Sequence, residues 1–195
     1  MLCYNHAMAF PRSKKIHDEE SLYEYAVGAL GRRMRTVAEL KRLLRQKQIS
    51  GDAEAVVGKV VDRLKEQRYL NDNQYAATYA TLRRDGSKLG RQRVITDLKV
   101  KGVHGDVIAK QVSEAYDAVD DEQQARDYLR KKRIKQPSAA KRGDVAAMKR
   151  SQRETARVFR TLVRAGFKTA TIIRILKKWD VEDEVLLELE SEADL

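Results

Sequence analysis

The sequence contains few residues that interrupt helices or favour sheets. Its 195 residues include only 2 prolines and 10 glycines, and aromatic residues make up 6%. Proline and glycine destabilise helix interiors, and aromatic side chains are enriched in strands. Their scarcity predicts an all-α protein.

Cysteine and long apolar runs are also scarce. Cys3 is the single cysteine, so no disulfide can form within the chain and a reducing compartment is expected. No run approaches the roughly 20 apolar residues that a membrane-spanning helix needs, and residues 1–15 lack the apolar centre of a signal peptide. We therefore expect a cytoplasmic protein without a membrane partner, in which residues 1–20 form a disordered leader.

Side chains that catalyse reactions or bind metals do not cluster. His6, His17 and His104 are scattered, and Cys3 has no partner at the spacing of a metal site. Neither glycine pattern of nucleotide-binding loops, G-x-x-x-x-G-K-[ST] or G-x-G-x-x-G, occurs. Most carboxylates fall on polar helix faces opposite lysine or arginine, as surface charges do. The sequence predicts a protein that is not an enzyme and has no cofactor or metal.

Positive charge is in large excess. The chain has 40 Lys+Arg against 29 Asp+Glu, a formal net charge of +11. The segment from Asp180 onward contains eight carboxylates and no lysine or arginine. The residues before it therefore carry a net charge of +19. Such a charge attracts polyanions, most strongly at low salt. It favours nucleic acid, or a complex containing it, as the partner; a solubilising surface is the alternative.

Apolar residues recur at helical spacing from residue 23 to residue 179. Thr36 and Glu39 have the spacing of a capping box, and Ser151 and Glu154 form a second possible one. The predicted apolar faces comprise Tyr23, Val27, Leu30 and Met34; Val37, Leu40, Leu43 and Leu44; Val57, Val60, Val61 and Leu64; Tyr75, Tyr79 and Leu82; Val94, Ile95 and Leu98; Ile108, Val112 and Tyr116; Ala125, Tyr128 and Leu129; Val158, Phe159, Leu162 and Val163; and Ile172, Ile173, Leu176 and Trp179. Beyond Trp179, the acidic segment is either a frayed helix carrying Val185, Leu186 and Leu189 or a tail.

Three segments repeat one pattern of helix, sharp turn and helix. Ile49, Val103 and Phe167 follow the turns at successive spacings of 54 and 64 residues. A further helix precedes each pair, which indicates a linear array of similar units. We predict three-helix repeats at residues 21–70, 71–120 and 121–180, followed by an acidic C-terminal tail at 181–195.

Basic clusters are the best candidates for a binding surface. One group lies where the first predicted helix ends, where cations also stabilise the helix dipole: Arg32, Arg33 and Arg35. A central group surrounds the break at residues 85–87: Arg83, Arg84, Lys88, Arg91, Arg93, Lys99 and Lys101. These side chains are suited to phosphates or carboxylates, whereas the basic residues at 130–135 run round all faces of a helix and indicate a solvated end. Five tyrosines, interpreted as core residues and not as base-stacking platforms, are Tyr69, Tyr75, Tyr79, Tyr116 and Tyr128.

Residues 68–76 read Arg-Tyr-Leu-Asn-Asp-Asn-Gln-Tyr-Ala. They are similar to the Gly-Tyr-Leu-Asp-Asp-x-Arg-Phe-Ala signature of the RecX family, regulatory proteins of the bacterial RecA recombinase, and residues 35–103 resemble that family as a whole. Further motif positions precede and follow it. The residues to which the resemblance gives structural roles are Glu39, Leu40, Tyr69, Leu70, Asp72, Tyr75, Ala76, Gly90, Leu98 and Gly102. Gln48 and Arg68 depart from a usual glycine, and Arg91 from a frequent proline.

The resemblance implies an elongated, curved molecule of three tandem three-helix repeats. It also implies a monomer that binds RecA filaments in their groove and restrains strand exchange, ATP hydrolysis and co-protease activity in DNA repair and the SOS response. Weak non-specific DNA binding would accompany this role. The alternative is a stand-alone helix-turn-helix DNA-binding protein that uses the helix pair from Arg91 to Tyr116.

Overall fold

The computed structural model describes residues 18–47, 52–138 and 144–193. These ranges contain ten α-helices and no strand, so the predicted all-α class is confirmed. The helices are α1 Glu19–Arg32, α2 Val37–Leu44, α3 Ala53–Glu66, α4 Asp72–Asp85, α5 Arg91–Val100, α6 Gly105–Tyr116, α7 Asp121–Lys131, α8 Val145–Arg164, α9 Thr169–Lys177 and α10 Asp183–Ala193. The turn predicted around Ile49 and residues 1–17 of the predicted leader lie outside the described residues.

The chain divides into two compact units between Leu70 and Asn71. The first unit holds α1–α3, and its core joins side chains from all three helices with Leu70. The capping box at the start of α2 is confirmed: Glu39 N donates to Thr36 Oγ1 (3.0 Å) and Thr36 N to Glu39 Oε2 (3.3 Å). The capping box thereby satisfies two of the amides that a helix start leaves without an intrahelical partner.

The predicted apolar stripe of α1 is wrong by one position. Leu22, Ala26 and Ala29 are fully buried, whereas the predicted Tyr23, Val27 and Leu30 flank them and are only partly buried. Met34 is 49% exposed because the helix ends at Arg32 and Arg33 is extended. Small alanines let α1 pack closely, so the largest apolar residues do not mark its buried face.

The second unit holds α4–α10 and two core clusters, one within α4–α6 and one within α7–α10. The turns after α5 and α8 have the same geometry. Gly102 (φ 75°) and Gly166 (φ 88°) adopt the left-handed conformation that glycine tolerates best. The next residue then donates back to the helix, Val103 N to Leu98 O (3.1 Å) and Phe167 N to Leu162 O (3.2 Å). This matching helix end supports the sequence repeat.

A third helix end of this type departs from glycine. Arg68 after α3 has φ 60°, and Tyr69 N donates to Leu64 O (3.0 Å). The position at which the family resemblance expects glycine is therefore a left-handed helix terminus. Arginine occupies it with the same hydrogen bond.

The second predicted capping box is wrong. Ser151 and Glu154 lie inside α8, which begins six residues earlier at Val145, and Asp144 caps it by accepting from Ala147 N (2.9 Å). No helix-breaking residue separates 145 from 164, so the aspartate upstream sets the start.

Two predicted core residues, Leu82 (64% exposed) and Val163 (40%), face solvent instead.

The acidic segment forms helix α10. Its Val185, Leu186 and Leu189 are buried in the cluster that also contains Phe159 and Leu176. The helix alternative of the sequence prediction is therefore the one found. A truncation after Trp179 would remove core side chains as well as negative charge.

Two glycines join the α4–α6 triplet to the α7–α10 helices through main-chain contacts. Gly90 N donates to Ala165 O (2.8 Å), and Gln92 N donates to Gly166 O (3.1 Å). A Cβ on Gly90 would overlap the Gly166 carbonyl group, and a Cβ on Gly166 would overlap the backbone of Arg93. Neither position can take a side chain unless α4–α6 and α7–α10 separate.

Buried side chains reinforce the same junction. The Tyr116 hydroxyl donates to Leu89 O (2.9 Å), and Gln124 Nε2 donates to Arg84 O (2.7 Å). Burial raises the pKa of Tyr116, so its hydroxyl stays protonated and can donate this hydrogen bond. Lys131 donates to Gly86 O nearby. The turn between α4 and α5 is thus held from both sides.

We expect Gly90→Ala to destabilise the second unit by about 3 kcal/mol or more, because it overpacks the junction and breaks its hydrogen bonds. Gly105→Ala is the matched control: nothing lies within 4 Å of its added Cβ, so its effect should stay within about 1 kcal/mol. Urea unfolding of the full chain, followed by fluorescence of the single tryptophan, Trp179 in the second unit, measures both. Equal midpoints for the two variants would contradict the contact.

Candidate polyanion-binding surface

Two tyrosines organise part of the central basic group. The Tyr75 and Tyr79 rings of α4 stack with centroids 6.0 Å apart and planes 13° apart. The Tyr79 hydroxyl donates to Asp97 Oδ2 (3.0 Å), and Arg93 Nε lies 3.0 Å from Asp97 Oδ1. Burial raises the pKa of Tyr79, so the phenol stays protonated and links α4 to α5.

Cations lie over these rings. The Arg83 guanidinium carbon is 4.8 Å from the Tyr79 ring centroid, and Lys101 Nζ is 5.7 Å and 5.6 Å from those of Tyr75 and Tyr79. Cation–π contacts of this kind hold long side chains in place. The structure therefore brings together three of the predicted residues, Arg83, Arg93 and Lys101. We call these with Tyr75, Tyr79 and Asp97 the tyrosine cluster.

Arg84 is used inside the fold. Its guanidinium pairs with Asp85 through two contacts of 2.7 Å and 2.8 Å and also donates to Ala115 O at the end of α6. The hydrogen bond from Arg84 is the main cause that holds the pKa of Asp85 below its usual range. Arg84 therefore fastens α4 to α6 and has little capacity left for a ligand.

The other predicted cations differ in what they contact. Lys99 is exposed and Arg91 is partly exposed, and no ion pair to either occurs within the described ranges. Lys88 lies in the turn after α4 at φ 57°, where its charge helps to lower the pKa of Asp85. Lys99 and Arg91 are therefore the central cations with the most freedom to bind.

The basic group at the end of α1 belongs to the first unit. Arg32 and Arg33 are exposed. Arg35 is partly buried, and its Nε lies 3.5 Å from Ala29 O. Part of this group thus completes the helix end, as cations near a helix C-terminus do.

Most of the motif residues have packing roles. Leu40, Leu70, Tyr75, Ala76, Gly90 and Leu98 are buried. Glu39 completes a cap, Gly102 ends α5, and Asp72 is the first residue of α4, which Asn71 caps by accepting from Gln74 N (3.1 Å). Tyr69 is 57% exposed, so its prediction as a core residue is wrong: it follows the left-handed Arg68, where the chain leaves α3.

Sequence reasoning missed the link between Tyr79 and Asp97. Arg93 and Asp97 are four residues apart on α5, a spacing that predicts an ion pair, but it does not predict the third partner on α4. Across the described residues, no group of three or more His, Cys, Asp or Glu side chains could hold a metal ion. Within the same ranges, no helix has both the length and the apolar composition to cross a membrane.

Comparison with known proteins identifies the first unit. A family model described as the first three-helix domain of RecX matches residues 23–64, nearly all of α1–α3. The regulatory protein RecX of Bacillus velezensis is 30% identical over 96 residues, which are 49% of this chain and 35% of that protein. The first unit is therefore similar to the first domain of RecX proteins. The RecX of Bacillus subtilis is likewise 30% identical over 91 residues, 47% of this chain and 33% of that protein, so the match spans about a third of these relatives.

The fold extends the likeness beyond the matched segment. The crystal structure of RecX from Lactobacillus salivarius superposes with a TM-score of 0.60 at 19% identity, covering 83% of this chain and 96% of that one. A second crystal structure of a regulatory protein RecX gives a TM-score of 0.58 at 20% identity over 82% of this chain. The fold of these RecX structures thus covers most of the chain.

We expect Arg84→Ala to lower the stability of the second unit by about 1–3 kcal/mol, because it removes a donor from a partly buried carbonyl and leaves Asp85 unpaired. Lys99→Ala, the matched control, should change stability by no more than about 0.5 kcal/mol. Urea unfolding measures both. Arg84→Ala unfolding at the wild-type midpoint would show that Arg84 is not structural.

Proposed function

We propose that this protein is a member of the RecX family, binds RecA and RecA–DNA filaments and restrains RecA's recombinase, ATPase and co-protease activities. The observation that carries the proposal is the family match of α1–α3, joined to a RecX fold over most of the chain. The relatives bear the name of regulatory proteins. The proposal places the protein in the bacterial cytoplasm, as a monomer, with RecA in DNA repair and the SOS response.

Charge supports this partner. A filament that contains DNA is a polyanion, and a body carrying +19 before its acidic end is attracted to it over distances up to the screening length. Arg91 and Lys99 are the central cations best placed to make direct contacts, because Arg84 and Arg93 already contact partners within the protein. Contact at this surface predicts an affinity that falls as salt rises.

Occupancy is the means of regulation in this proposal. A bound protein shifts a filament between subunit arrangements only as far as it binds one more tightly than the other. A rigid body spanning neighbouring subunits makes such a difference, since it fits one spacing better. The main-chain junction at Gly90 and Gly166 makes α4–α10 a body of this kind.

The helix-turn-helix alternative fits the structure less well. In that function α6 would be the recognition helix, whose N-terminal residues enter the major groove. Its exposed residues include Asp106, Lys110 and Glu114, and His104 Nδ1 lies 3.4 Å from Asp106 Oδ2. Two carboxylates against one lysine on this face would oppose the phosphates on both sides of the groove.

Inhibition of RecA's DNA-dependent ATPase tests the proposal. We expect the full chain to inhibit RecA on single-stranded DNA, and Arg91→Ala/Lys99→Ala to need about 5- to 30-fold more protein for half-inhibition, as two lost charge contacts predict. Lys59→Ala/Lys110→Ala removes the same charge from exposed sites elsewhere and should change the requirement less than about 3-fold.

Two outcomes would contradict the proposal. A wild-type chain that neither binds RecA filaments in a pull-down nor slows ATP hydrolysis would remove the function itself. Equal inhibition by both double variants would keep RecA as partner and remove the central surface from the contact.

A further inference from the structure

Helix α8 carries a stripe of cations that the motif analysis did not single out. Lys149, Arg153, Arg157, Arg160 and Arg164 follow one another at intervals of three or four residues, which place them on one helix face. All five are exposed. The opposite face supplies buried side chains to the core: Thr155, Val158, Phe159 and Leu162. We call these five residues the α8 stripe.

The charges of the α8 stripe are largely unneutralised. Within the described ranges, no carboxylate lies at ion-pair distance from Lys149, Arg153, Arg157 or Arg164. Glu154 is the single carboxylate in α8, and it accepts a hydrogen bond from Ser138 N (3.0 Å) in the segment after α7. The stripe therefore differs from the tyrosine cluster, in which Arg93 is already paired with Asp97.

The segment after α7 extends this positive surface. Lys132, Arg133 and Lys135 line a surface groove together with Arg157 and a single carboxylate, Glu154. These three residues belong to the basic run that the sequence indicated as a solvated helix end. The fold brings that run beside the stripe, so the cations of two chain segments form one surface.

The composition of the stripe indicates phosphates as the ligand. Four of its five residues are arginine, whose planar guanidinium binds phosphate oxygens in pairs. Protein interfaces usually have aromatic or aliphatic anchors at their centre. The five stripe positions carry no such side chain, and the large apolar residues that α8 exposes, Val145, Met148 and Val163, lie outside the row. A row of like charges without anchors fits a partner with regularly repeated negative charge, which is the nucleic-acid backbone.

The shape of the stripe favours duplex over single-stranded DNA. Surfaces for single strands combine cations with aromatic side chains on which bases stack. The aromatic residue of α8, Phe159, is 2% exposed and belongs to the core. From Lys149 to Arg164 the helix runs about 22 Å, which is the length of roughly six base pairs at 3.4 Å each.

We propose that the α8 stripe binds the phosphate backbone of duplex DNA without sequence preference and without RecA. The family resemblance implies weak non-specific DNA binding without naming a site. The new step is the assignment of that binding to duplex DNA and to the α8 stripe, a surface that differs from the central one. A protein bound in this way would be held near the duplex beside a filament. Neither proposal requires the other to hold.

Fluorescence anisotropy of the full chain with a labelled duplex of about 30 base pairs tests the inference, with RecA absent and salt varied. Each phosphate contact adds about 0.9 to the slope of log affinity against log salt. Arg153→Gln/Arg157→Gln/Arg164→Gln should lower that slope by about 2 to 3 and weaken binding at least tenfold at low salt. Arg153→Lys/Arg157→Lys/Arg164→Lys keeps the charge and should restore most of the slope.

The control is Arg42→Gln/Lys59→Gln/Lys110→Gln, which removes three exposed cations outside α8. It should leave the slope within about 0.5 of the wild-type value. Thermal melts followed by circular dichroism verify that each variant folds. We expect all of them to fold, because the substituted side chains are exposed.

Three results would overturn the inference. The first is equal loss in the α8 and control variants, which would assign binding to net charge alone. The second is wild-type binding to single strands more than tenfold tighter than to duplex. The third is unchanged duplex binding with weaker RecA capture by the α8 variant, which would assign the stripe to a protein surface. A wild-type chain that binds duplex DNA as expected but does not inhibit the RecA ATPase would contradict only the RecA proposal.

Discussion

The second unit depends on the contact between two helix ends at Gly90 and Gly166. Main-chain atoms meet there directly, and the hydrogen bonds Gly90 N to Ala165 O and Gln92 N to Gly166 O leave no room for a Cβ on either glycine. The contact fixes α5 against the end of α8. Since Arg93 adjoins Gly166 and Arg164 immediately precedes this helix end, it also fixes the tyrosine cluster relative to the α8 stripe. Both cationic surfaces are thus carried by one body.

The basic residues of the second unit have two different uses. Arg84 joins α4 to α6 through Ala115 O, and Lys131 joins α7 to the turn after α4 through Gly86 O. Arg93 pairs with Asp97 on its own helix, α5. Lys99 and most of the α8 stripe contact no carboxylate within the described part of the chain. Net charge alone does not separate these classes, because an arginine that holds the fold together and one that binds a phosphate contribute the same unit. Only the packing of their neighbours distinguishes them.

Local rules predicted much of the fold from sequence. The all-α class, the capping box at Thr36, the buried face of α3 and the turns at Gly102 and Gly166 all follow from interactions within a few residues. The failures have a common cause. The buried face of α1 includes alanines, which are buried because they allow close packing and not because they are strongly apolar. Both Asp144 and Ser151 could cap α8 by residue type, and the structure uses Asp144. The curved array of three repeats stays a prediction.

The candidate surfaces were less predictable than the helices. The partners of Arg84 include Ala115 O, 31 residues away, and Gly90 meets a segment more than 70 residues further along the chain, so no local pattern reveals either role. The α8 stripe is different. Its spacing of three and four residues stands in the sequence, but it is significant only when α8 is known to run unbroken from Val145 to Arg164.

Native-state hydrogen exchange at the amides of Gly90 and Gln92 tests most directly whether α4–α6 and α7–α10 form one body. If the junction opens only when the unit unfolds, both amides should exchange with the free energy of global unfolding of α4–α10. Exchange through a local opening whose free energy is several kcal/mol below that of global unfolding, as in a frayed helix end, would contradict the rigid junction.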